Sequence, residues 1–206
     1  MRVVQPVALA PHERWSLDFR PDTLGNGPRT RVFGPRTRVF GPRIRVFGPR
    51  IRVFGPRIRV LTVVDHLSRV SRAIEVDTGL SGRRVIEVLE RAAACYGLPK
   101  TICVDNGPEF SGRALDQWAH RQGVKLQFSR PGKPTDNAMI ETFSAKVRAE
   151  CLDQHWFTSL QEAQVQVEAW RQNYNEQRPH SSLNNHTPAE FMACWQHRQQ
   201  PEKAKS

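Results

Sequence analysis

Apolar and polar residues alternate along the first half of the chain, which is the pattern of β-strands. In RWSLDFR, from Arg14 to Arg20, a large apolar residue occupies every second position, and Asp18 falls among the polar ones. This period of two predicts a strand with one buried face and places Asp18 on the opposite face. Further strands are predicted at Arg57–Asp65 and Arg72–Val76, with DHLSR turning between them. Together these segments predict a three-stranded antiparallel sheet.

In the second half, apolar residues recur every three or four positions, which predicts amphipathic helices. The first helix covers Ser81–Tyr96, and two short apolar strands, TICVD and VKLQF, flank a second helix that Ser111 caps and Gly123 ends. Pro131–Asp136 is a predicted loop. Two more helices follow, one capped by Asn137 and running to about Leu152, and one opened by a capping box of Ser159 and Glu162. The inner helical positions are Val85, Val88, Leu89, Ala92, Cys95, Leu115, Trp118, Ala119, Ile140, Phe143, Val147, Cys151, Leu160, Ala163, Val167, Trp170 and Tyr174.

The predicted order is therefore β-β-β-α-β-α-β-α-α, an α/β mixed sheet with helices packed against it. The first three strands are antiparallel, and two further strands join them. A single core is expected at residues 14–195, after a short lead at residues 1–13 and before a polar, frayed tail at residues 196–206.

Five copies of a seven-residue unit run from Gly27 to Leu61: four have the sequence GPRTRVF or GPRIRVF, and the last ends in Leu61 where the others end in Phe. Seven residues are too few for a stacking unit, and each Gly-Pro removes a donor from a β-ladder. Without four of the units the chain has LDFRPDTLGNGPRIRVLTVVDHLSR, which is typical of strand, short turn and strand. We therefore interpret the repeat as a tandem duplication in a hairpin loop, exposed and mobile. A basic arm that grips DNA phosphates is the functional alternative.

The repeat also accounts for the charge of the chain. The formal net charge is +11, but ten arginines belong to the repeat, and the other 21 basic residues face 20 acidic ones. The net charge by itself is therefore no indication of a nucleic-acid-binding face elsewhere in the chain.

The 206 residues include no apolar run long enough to cross a bilayer, and the start of the chain lacks a secretory signal, so a cytoplasmic location is expected. The four cysteines lie far apart without a CxxC pair, which favours reduced, mostly buried thiols over zinc or disulfides. Cys151 with His155, and Cys194 with His197, could each supply half of a metal site.

Three acidic residues lie at positions where a carboxylate is energetically unfavourable unless it has a function. Asp18 lies in a strand between large apolar residues, Asp105 ends the buried strand TICVD, and Glu141 lies in the first turn of a helix. Each also has a structural explanation, because Asp105-Asn106-Gly107-Pro108 suits a turn and Glu141 suits a helix N-terminus. If the first strand is central and the Asp105 strand runs beside it, the carboxylates meet at one sheet edge. The set then suits two Mg²⁺ or Mn²⁺ ions about 4 Å apart, as used in phosphodiester chemistry.

Four motifs in order, WSLDF, VDNGPEF, GKPTDNAMIETF and YNEQRPHSSL…TPAEF, closely resemble the catalytic core of bacterial insertion-sequence transposases related to retroviral integrases. The 35 residues between Asp105 and Glu141 match the spacing of that family's acidic triad. The resemblance covers Arg14 to Trp195. It implies a ribonuclease H-like fold, two-metal hydrolysis and strand transfer of DNA, Asp18, Asp105 and Glu141 as metal ligands, and action as an oligomer on element ends and target DNA.

The resemblance also implies roles for basic and polar residues. Arg148, two helical turns or about 10 Å beyond Glu141, falls at the family's basic position and is a candidate for holding a DNA phosphate; otherwise it is a solvated helix residue. Lys133 and Asn137 are candidates for contacts with the DNA end, though a loop and a helix cap explain them nearly as well. Asp65 matches a structural position. The tail residues Tyr174, Arg178 and His180 are expected to pack and to fix a loop.

Such transposases usually carry a helix-turn-helix ahead of the core, and about fourteen residues are too few for one. The sequence therefore leaves two functions open. One is an active transposase core, aided by a separate helix-turn-helix protein or segment. The other is a silent remnant that binds DNA or a full-length partner; a plain ribonuclease is a weaker third.

Overall fold

A five-stranded mixed sheet forms the centre of the fold. The computed structural model describes residues 8–24, 56–107, 109–110, 112–130 and 137–199. The strands are β1 (Arg14–Thr23), β2 (Arg57–Asp65), β3 (Ser71–Asp77), β4 (Thr101–Val104) and β5 (Lys125–Phe128). Their order across the sheet is β3-β2-β1-β4-β5. β1 pairs antiparallel with β2 and parallel with β4, so β1 is the central strand and the strand that ends before Asp105 runs beside it.

Five α-helices surround the sheet in the described residues: α1 (Gly82–Tyr96), α2 (Arg113–Gln122), α3 (Ala138–Val147), α4 (Leu160–Glu176) and α5 (Pro188–Gln199). A π-helical turn at Arg148–Leu152 continues α3, and a 3₁₀ turn at Ser181–Leu183 follows α4. None of the described helices is both long enough and apolar enough to span a bilayer.

The period of two in β1 divides the core into two layers. Trp15 and Leu17 are fully buried in the layer beneath α1 and α2, while α3 and α4 pack on the opposite face of the sheet. Asp18 is on that opposite face, because side chains alternate along a strand. The α3 and α4 layer contains Ile140, Phe143, Val147, Cys151, Ala163, Val167 and Tyr174, which are inner positions that the helical periodicity predicts.

The predicted element order is confirmed from β1 to α4, but the sequence pattern misses α5. Pro188 is the one buried residue of that helix, so its apolar periodicity is weak. The helix extends to Gln199, through the beginning of the tail predicted at residues 196–206. The predicted cap residue Ser111 lies outside the described residues.

Three local predictions need correction. Cys95 is exposed because it lies at the flank of the buried stripe of α1, and Cys194 is exposed too, so only Cys103 and Cys151 are buried thiols. α3 begins after Asn137 as predicted, but the Asn137 side chain makes no capping hydrogen bond. Its backbone has ψ 5°, away from the extended conformation that aims an N-cap side chain at the helix N–H groups.

The capping box of α4 forms only in part. The N–H of Glu162 donates to Oγ of Ser159 at 3.1 Å, as predicted. The Glu162 carboxylate instead accepts from the N–H and hydroxyl of Thr158, each at 2.7 Å. Thr158, one residue before the capping box, therefore takes the place of the Ser159 N–H as the donor to Glu162.

The last repeat unit belongs to the sheet. Arg57 pairs with Thr23 and Leu61 pairs with Phe19 in the β1–β2 ladder, and the N–H of Leu24 donates to the carbonyl of Pro56 at 3.0 Å. Leu61 is fully buried, at the position where the other units have Phe. The paired residues on both sides of the repeat therefore place it in the β1–β2 hairpin. The prediction that the repeat is exposed and mobile refers to residues 25–55, which lie outside the described residues.

We predict that removing Gly27–Phe54 keeps the fold and raises its stability. Every paired residue of β1 and β2 remains, and Gly25, Asn26 and Gly55 can close a three-residue hairpin loop. Shortening the connection about tenfold lowers the entropy cost of closing it, by up to about 2 kcal/mol. Urea unfolding of the two chains measures the difference.

A lower unfolding midpoint in the shortened chain would show that the repeat contributes structure, contrary to this expectation. The same deletion removes eight arginines. Unchanged affinity for duplex DNA would also eliminate the alternative that the repeat is a DNA-gripping arm.

Candidate active site

Asp18 and Asp105 are brought to the same edge of the sheet by the parallel pairing of β1 and β4. The paired residues Arg14 and Thr101, and Ser16 and Cys103, each differ by 87 positions, and so do Asp18 and Asp105. Continuing the register therefore sets the two aspartates opposite each other, one residue past the last residue of β4. Both follow the alternation onto the sheet face that α3 covers.

Glu141 lies on α3, which a buried hydrogen bond fixes over the central strands. The hydroxyl groups of Ser144 and Thr62 are 3.0 Å apart, and Thr62 is the β2 partner of Asp18. Ser144 follows Glu141 by three residues, so Glu141 is about one helical turn from this contact. The Glu141 side chain is exposed and makes no ion pair with another described residue.

The two aspartates are already engaged by groups of the chain. Asp18 is 13% exposed, and its Oδ2 is 2.9 Å from Nε of Arg20, two residues along the same strand face. Oδ1 of Asp105 accepts a hydrogen bond from the N–H of Gly107 at 2.8 Å. Glycine leaves room for both carboxylates here, because a Cβ at residue 107 would lie 2.8 Å from Oδ1 of Asp105 and 3.0 Å from Oε2 of Glu109 and would push them aside.

Glu109 anchors the turn after Asp105 to the first hairpin. Its carboxylate forms an ion pair with Arg59, whose guanidinium lies 4.8 Å from the centre of the Phe19 ring. Phe19 in turn packs against Phe110, with ring centres 4.8 Å apart. A residue of the last repeat unit thus helps to position the segment that follows β4.

The carboxylates do not form a closed metal site as they stand. Among the described residues, no group of three histidine, cysteine, aspartate or glutamate side chains is placed to hold a metal ion. Neither predicted half-site, Cys151 with His155 or Cys194 with His197, belongs to such a group among the described residues. Nδ1 of His155 instead forms a hydrogen bond with the carbonyl oxygen of Cys151, 2.8 Å away. The donor chemistry of Asp18, Asp105 and Glu141, three carboxylates without thiol or imidazole, nevertheless fits Mg²⁺ or Mn²⁺.

Two of the other predicted site residues, Asn137 and Arg148, flank α3 at its two ends. Arg148 follows α3 directly, is 61% exposed, and its Nε lies 3.7 Å from Oδ2 of Asp153. Oδ1 of Asn137 is buried and has no hydrogen-bond partner among the described residues. Lys133 lies outside the described residues, so its predicted DNA contact stays a prediction.

The tail motif packs and fixes a loop, in line with the expectation from sequence. Arg178 forms a two-pronged ion pair with Glu150 on the π-helical turn. The Tyr174 ring meets Phe143 and His180 edge to face, at 5.0 and 4.9 Å between ring centres. The motif therefore holds the end of α4 against α3.

Asp65 has a structural environment, as the resemblance implies. Its buried carboxylate accepts hydrogen bonds from the N–H groups of His12, Leu67 and Ser68 and lies 3.4 Å from Arg72. Burial alone would raise the pKa of Asp65, but the Ser68 and His12 hydrogen bonds and the Arg72 charge outweigh it and hold the pKa below its ordinary value.

Sequence reasoning missed the partners of the acids. The Asp18–Arg20 pair could have been found, since residues two apart in a strand share a face. Ser144 also carried a signal, as a polar residue on the apolar stripe of α3. Nothing in the sequence pattern indicated that Arg59 meets Glu109.

Comparison with known proteins identifies the family that this fold and arrangement of carboxylates define. A family model described as "Integrase core domain" matches residues 8–134, and a second model of the same description matches residues 122–188. The chain therefore belongs to the integrase core domain family, as its motifs predicted.

Two similar proteins come from bacterial insertion elements. The uncharacterized 31.7 kDa protein of insertion element IS407 from Burkholderia multivorans is 46% identical over 184 residues, covering 89% of this chain and 56% of the relative. The 39.2 kDa protein of IS476 from Xanthomonas euvesicatoria is 39% identical over 189 residues, and the match covers 92% of this chain and 46% of the relative. The chain spans about half the length of these relatives.

Among solved structures, the catalytic core domain of HTLV-2 integrase in complex with magnesium has a TM-score of 0.57 and 13% identity. The match covers 89% of this chain and 97% of that domain. At this identity the likeness shows the fold alone, and it confirms the predicted ribonuclease H-like architecture.

Proposed function

We propose that the chain is the catalytic core of an insertion-sequence transposase. Water hydrolyses a phosphodiester at the element end, and the freed 3′-hydroxyl then attacks another DNA phosphate, which forms a new phosphodiester and displaces the 3′-oxygen of the attacked strand as a hydroxyl group. The observation that carries the proposal is the β1–β4 register, which sets Asp18 and Asp105 opposite each other beneath α3. Membership of the integrase core domain family supports the same chemistry.

In this proposal Asp18, Asp105 and Glu141 hold two divalent cations. Bound at such a site, Mg²⁺ or Mn²⁺ activates an attacking oxygen and stabilises a leaving oxygen. The contribution of the chain is to present the two aspartates from adjacent strands and to supply the third carboxylate from α3. Arg20 must release Asp18 for this, while the Asp105 turn, fixed through Glu109, keeps its place.

The surrounding residues orient the DNA. Arg148 is exposed and paired only loosely with Asp153, so it can exchange that carboxylate for a DNA phosphate. Asn137 offers an amide at the start of α3, and Lys133 precedes it in the sequence. We further propose that the chain acts as a homo-oligomer on nucleoid DNA in the cytoplasm, with recognition of the element ends supplied by a helix-turn-helix segment or protein.

The test is metal-dependent cleavage by the purified chain. Supercoiled plasmid carrying element-end DNA should be nicked with Mg²⁺ or Mn²⁺ and left intact with EDTA, and the nick should leave a free 3′-hydroxyl at the element end. Intact plasmid in both metals, from a chain that binds the DNA and unfolds cooperatively, would contradict the enzyme assignment.

A catalytically silent DNA-binding remnant is the second candidate. It is favoured by the Asp18–Arg20 ion pair and by the lack of a preformed three-carboxylate group among the described residues. DNA binding without nicking by the isolated chain, persisting when Arg20 is replaced by Ala to release Asp18, would support it over the enzyme.

A further inference from the structure

A cleft of about 400 Å³ lies on the side of α3 away from Glu141. It lies between α3, the loop joining β2 to β3, the end of α4 and the 3₁₀ turn. The buried rings of Phe143 and Tyr174 form its inner wall. Ala138 and Met139 also line it. The remaining lining residues are polar, and we call this polar set the cationic cleft: Arg69, Thr142, Lys146, His180, Ser181 and Ser182.

The cationic cleft has two positive charges and no negative one. Arg69 and Lys146 are both half-buried, and neither forms an ion pair with another described residue. Among the residues that the structure describes, no acidic one lines the cleft. The nearby Glu150 carboxylate is close enough for the Lys146 charge to lower its pKa, but its oxygens are paired with Arg178. Two partly buried cations beside a carboxylate that is already paired leave a surplus of positive charge in the cleft, which favours binding of an anion.

His180 carries an unused hydrogen-bonding atom in this positive environment. Its Nε2 is buried and has no partner among the described residues. Burial and the charges of Lys146, Arg178 and Arg69 lower the pKa of His180 to about 4. The ring is therefore neutral at pH 7, and in the tautomer with hydrogen on Nε2 it can donate to an anion.

The backbone holds Arg69 at the cleft in a conformation that residues other than glycine rarely adopt. Arg69 has φ 59°, and its N–H donates to the Asp65 carbonyl at 3.1 Å. The buried Asp65 network thus fixes the loop. Such costly conformations concentrate at functional sites, where the surrounding structure enforces them.

The cleft and the carboxylates border opposite flanks of one helix. With its side chains a helix is about 10–12 Å across, and the major groove of DNA is about 12 Å wide. The two phosphate backbones that border a groove are therefore spaced to lie along both flanks of α3.

We propose that the cationic cleft binds a phosphate of the DNA backbone, on the flank of α3 opposite the catalytic carboxylates. Arg69 and Lys146 supply the charge, and the hydroxyl groups of Thr142, Ser181 and Ser182 supply further donors. This deepens the proposed function and rests on it. The cleft is a positioning site, which contributes to DNA affinity rather than to the chemical step.

The test is the salt dependence of DNA binding, measured without divalent cations by anisotropy of a labelled duplex. Each phosphate contact contributes about 0.9 to the slope of log affinity against log salt. The double variant Arg69→Gln/Lys146→Gln should lose about 0.9 units of slope and bind about tenfold more weakly. Arg83→Gln/Arg121→Gln, which removes two exposed cations from α1 and α2 on the other side of the sheet, should keep the wild-type slope.

Lys146→Arg should restore the slope that Lys146→Gln loses, because it keeps the charge. A wild-type slope in the double variant overturns the inference, while wild-type nicking in the same preparation leaves the proposed function standing. If the double variant does not fold, the single variant Lys146→Gln is measured instead, and its slope should fall by half the amount expected for the double variant. A wild-type chain that neither binds nor nicks DNA contradicts the proposed function itself.

Discussion

Replacing Asp105 with Asn should abolish nicking while leaving the fold intact, and Asp18→Asn should do the same. Each change removes one charged ligand from the proposed cation site but keeps the size of the side chain. Loss of several kcal/mol of transition-state stabilisation corresponds to a rate at least about a thousandfold lower. Initial rates of plasmid nicking in Mg²⁺ measure the effect.

Asp22→Asn is the matched control. Asp22 lies on the same face of β1, four residues after Asp18, and accepts a hydrogen bond from the N–H of Thr23. Its variant should nick at the wild-type rate. Because the ion-pair partner of Asp18 among the described residues, Arg20, is itself partly exposed, Asp18→Asn should change the free energy of unfolding little. A rate within tenfold of wild type for either site variant would refute the assignment of these ligands.

The largest effect on stability should come from Asp65→Asn. Arg72 is almost fully buried, lying between the rings of Trp15 and Tyr96, and Asp65 is its carboxylate partner. Removing one member of a buried pair leaves the other charge uncompensated. We expect a loss of about 3–5 kcal/mol in the free energy of unfolding, measured by urea denaturation.

Asp116→Asn, at an exposed position in the first turn of α2, should change stability by less than about 0.5 kcal/mol. Adding Arg72→Met to Asp65→Asn should recover part of the loss, because no unpaired charge is then buried. A loss below about 1 kcal/mol for Asp65→Asn alone would show that the network is not important for stability.

The Asp65 network also predicts a pH dependence. The folded-state pKa of Asp65 is lowered, so the unfolded chain takes up the proton first as the pH falls. The contribution of this group is therefore complete above the unfolded pKa of about 4 and is lost as the pH falls through the lower folded-state pKa. The stability difference between wild type and Asp65→Asn should accordingly shrink in acid.

The periodicity of apolar residues predicted the sheet and most helices because burial was decided locally, one strand face or helix stripe at a time. The periodicity gave wrong predictions where an element buries few residues, and at the edges and ends of helices. α5 has little buried surface, and Cys95 stands at the edge of its stripe. Asn137 occupies the expected cap position, but its backbone conformation turns the side chain away.

The acidic site was likewise predictable from the sequence only in part. The sequence pattern identified Asp18 as a polar member of an alternating strand and Asp105 as the end of a buried one. Their alignment depended on which strands became neighbours and in which register, a property of the whole sheet. The partners Arg20, Arg59 and Ser144 came from pairings along the chain and across it that the apolar periodicity does not specify.

The amino-acid sequence by itself therefore determined the strand and helix faces, the family and the candidate acids, since each follows from residue type and short-range spacing. Tertiary structure alone decided the β1–β4 register, the seating of α3 through Ser144 and Thr62, and the cationic cleft. Those features bring together residues that are far apart in the chain, so they exist only once the two layers have packed on the sheet.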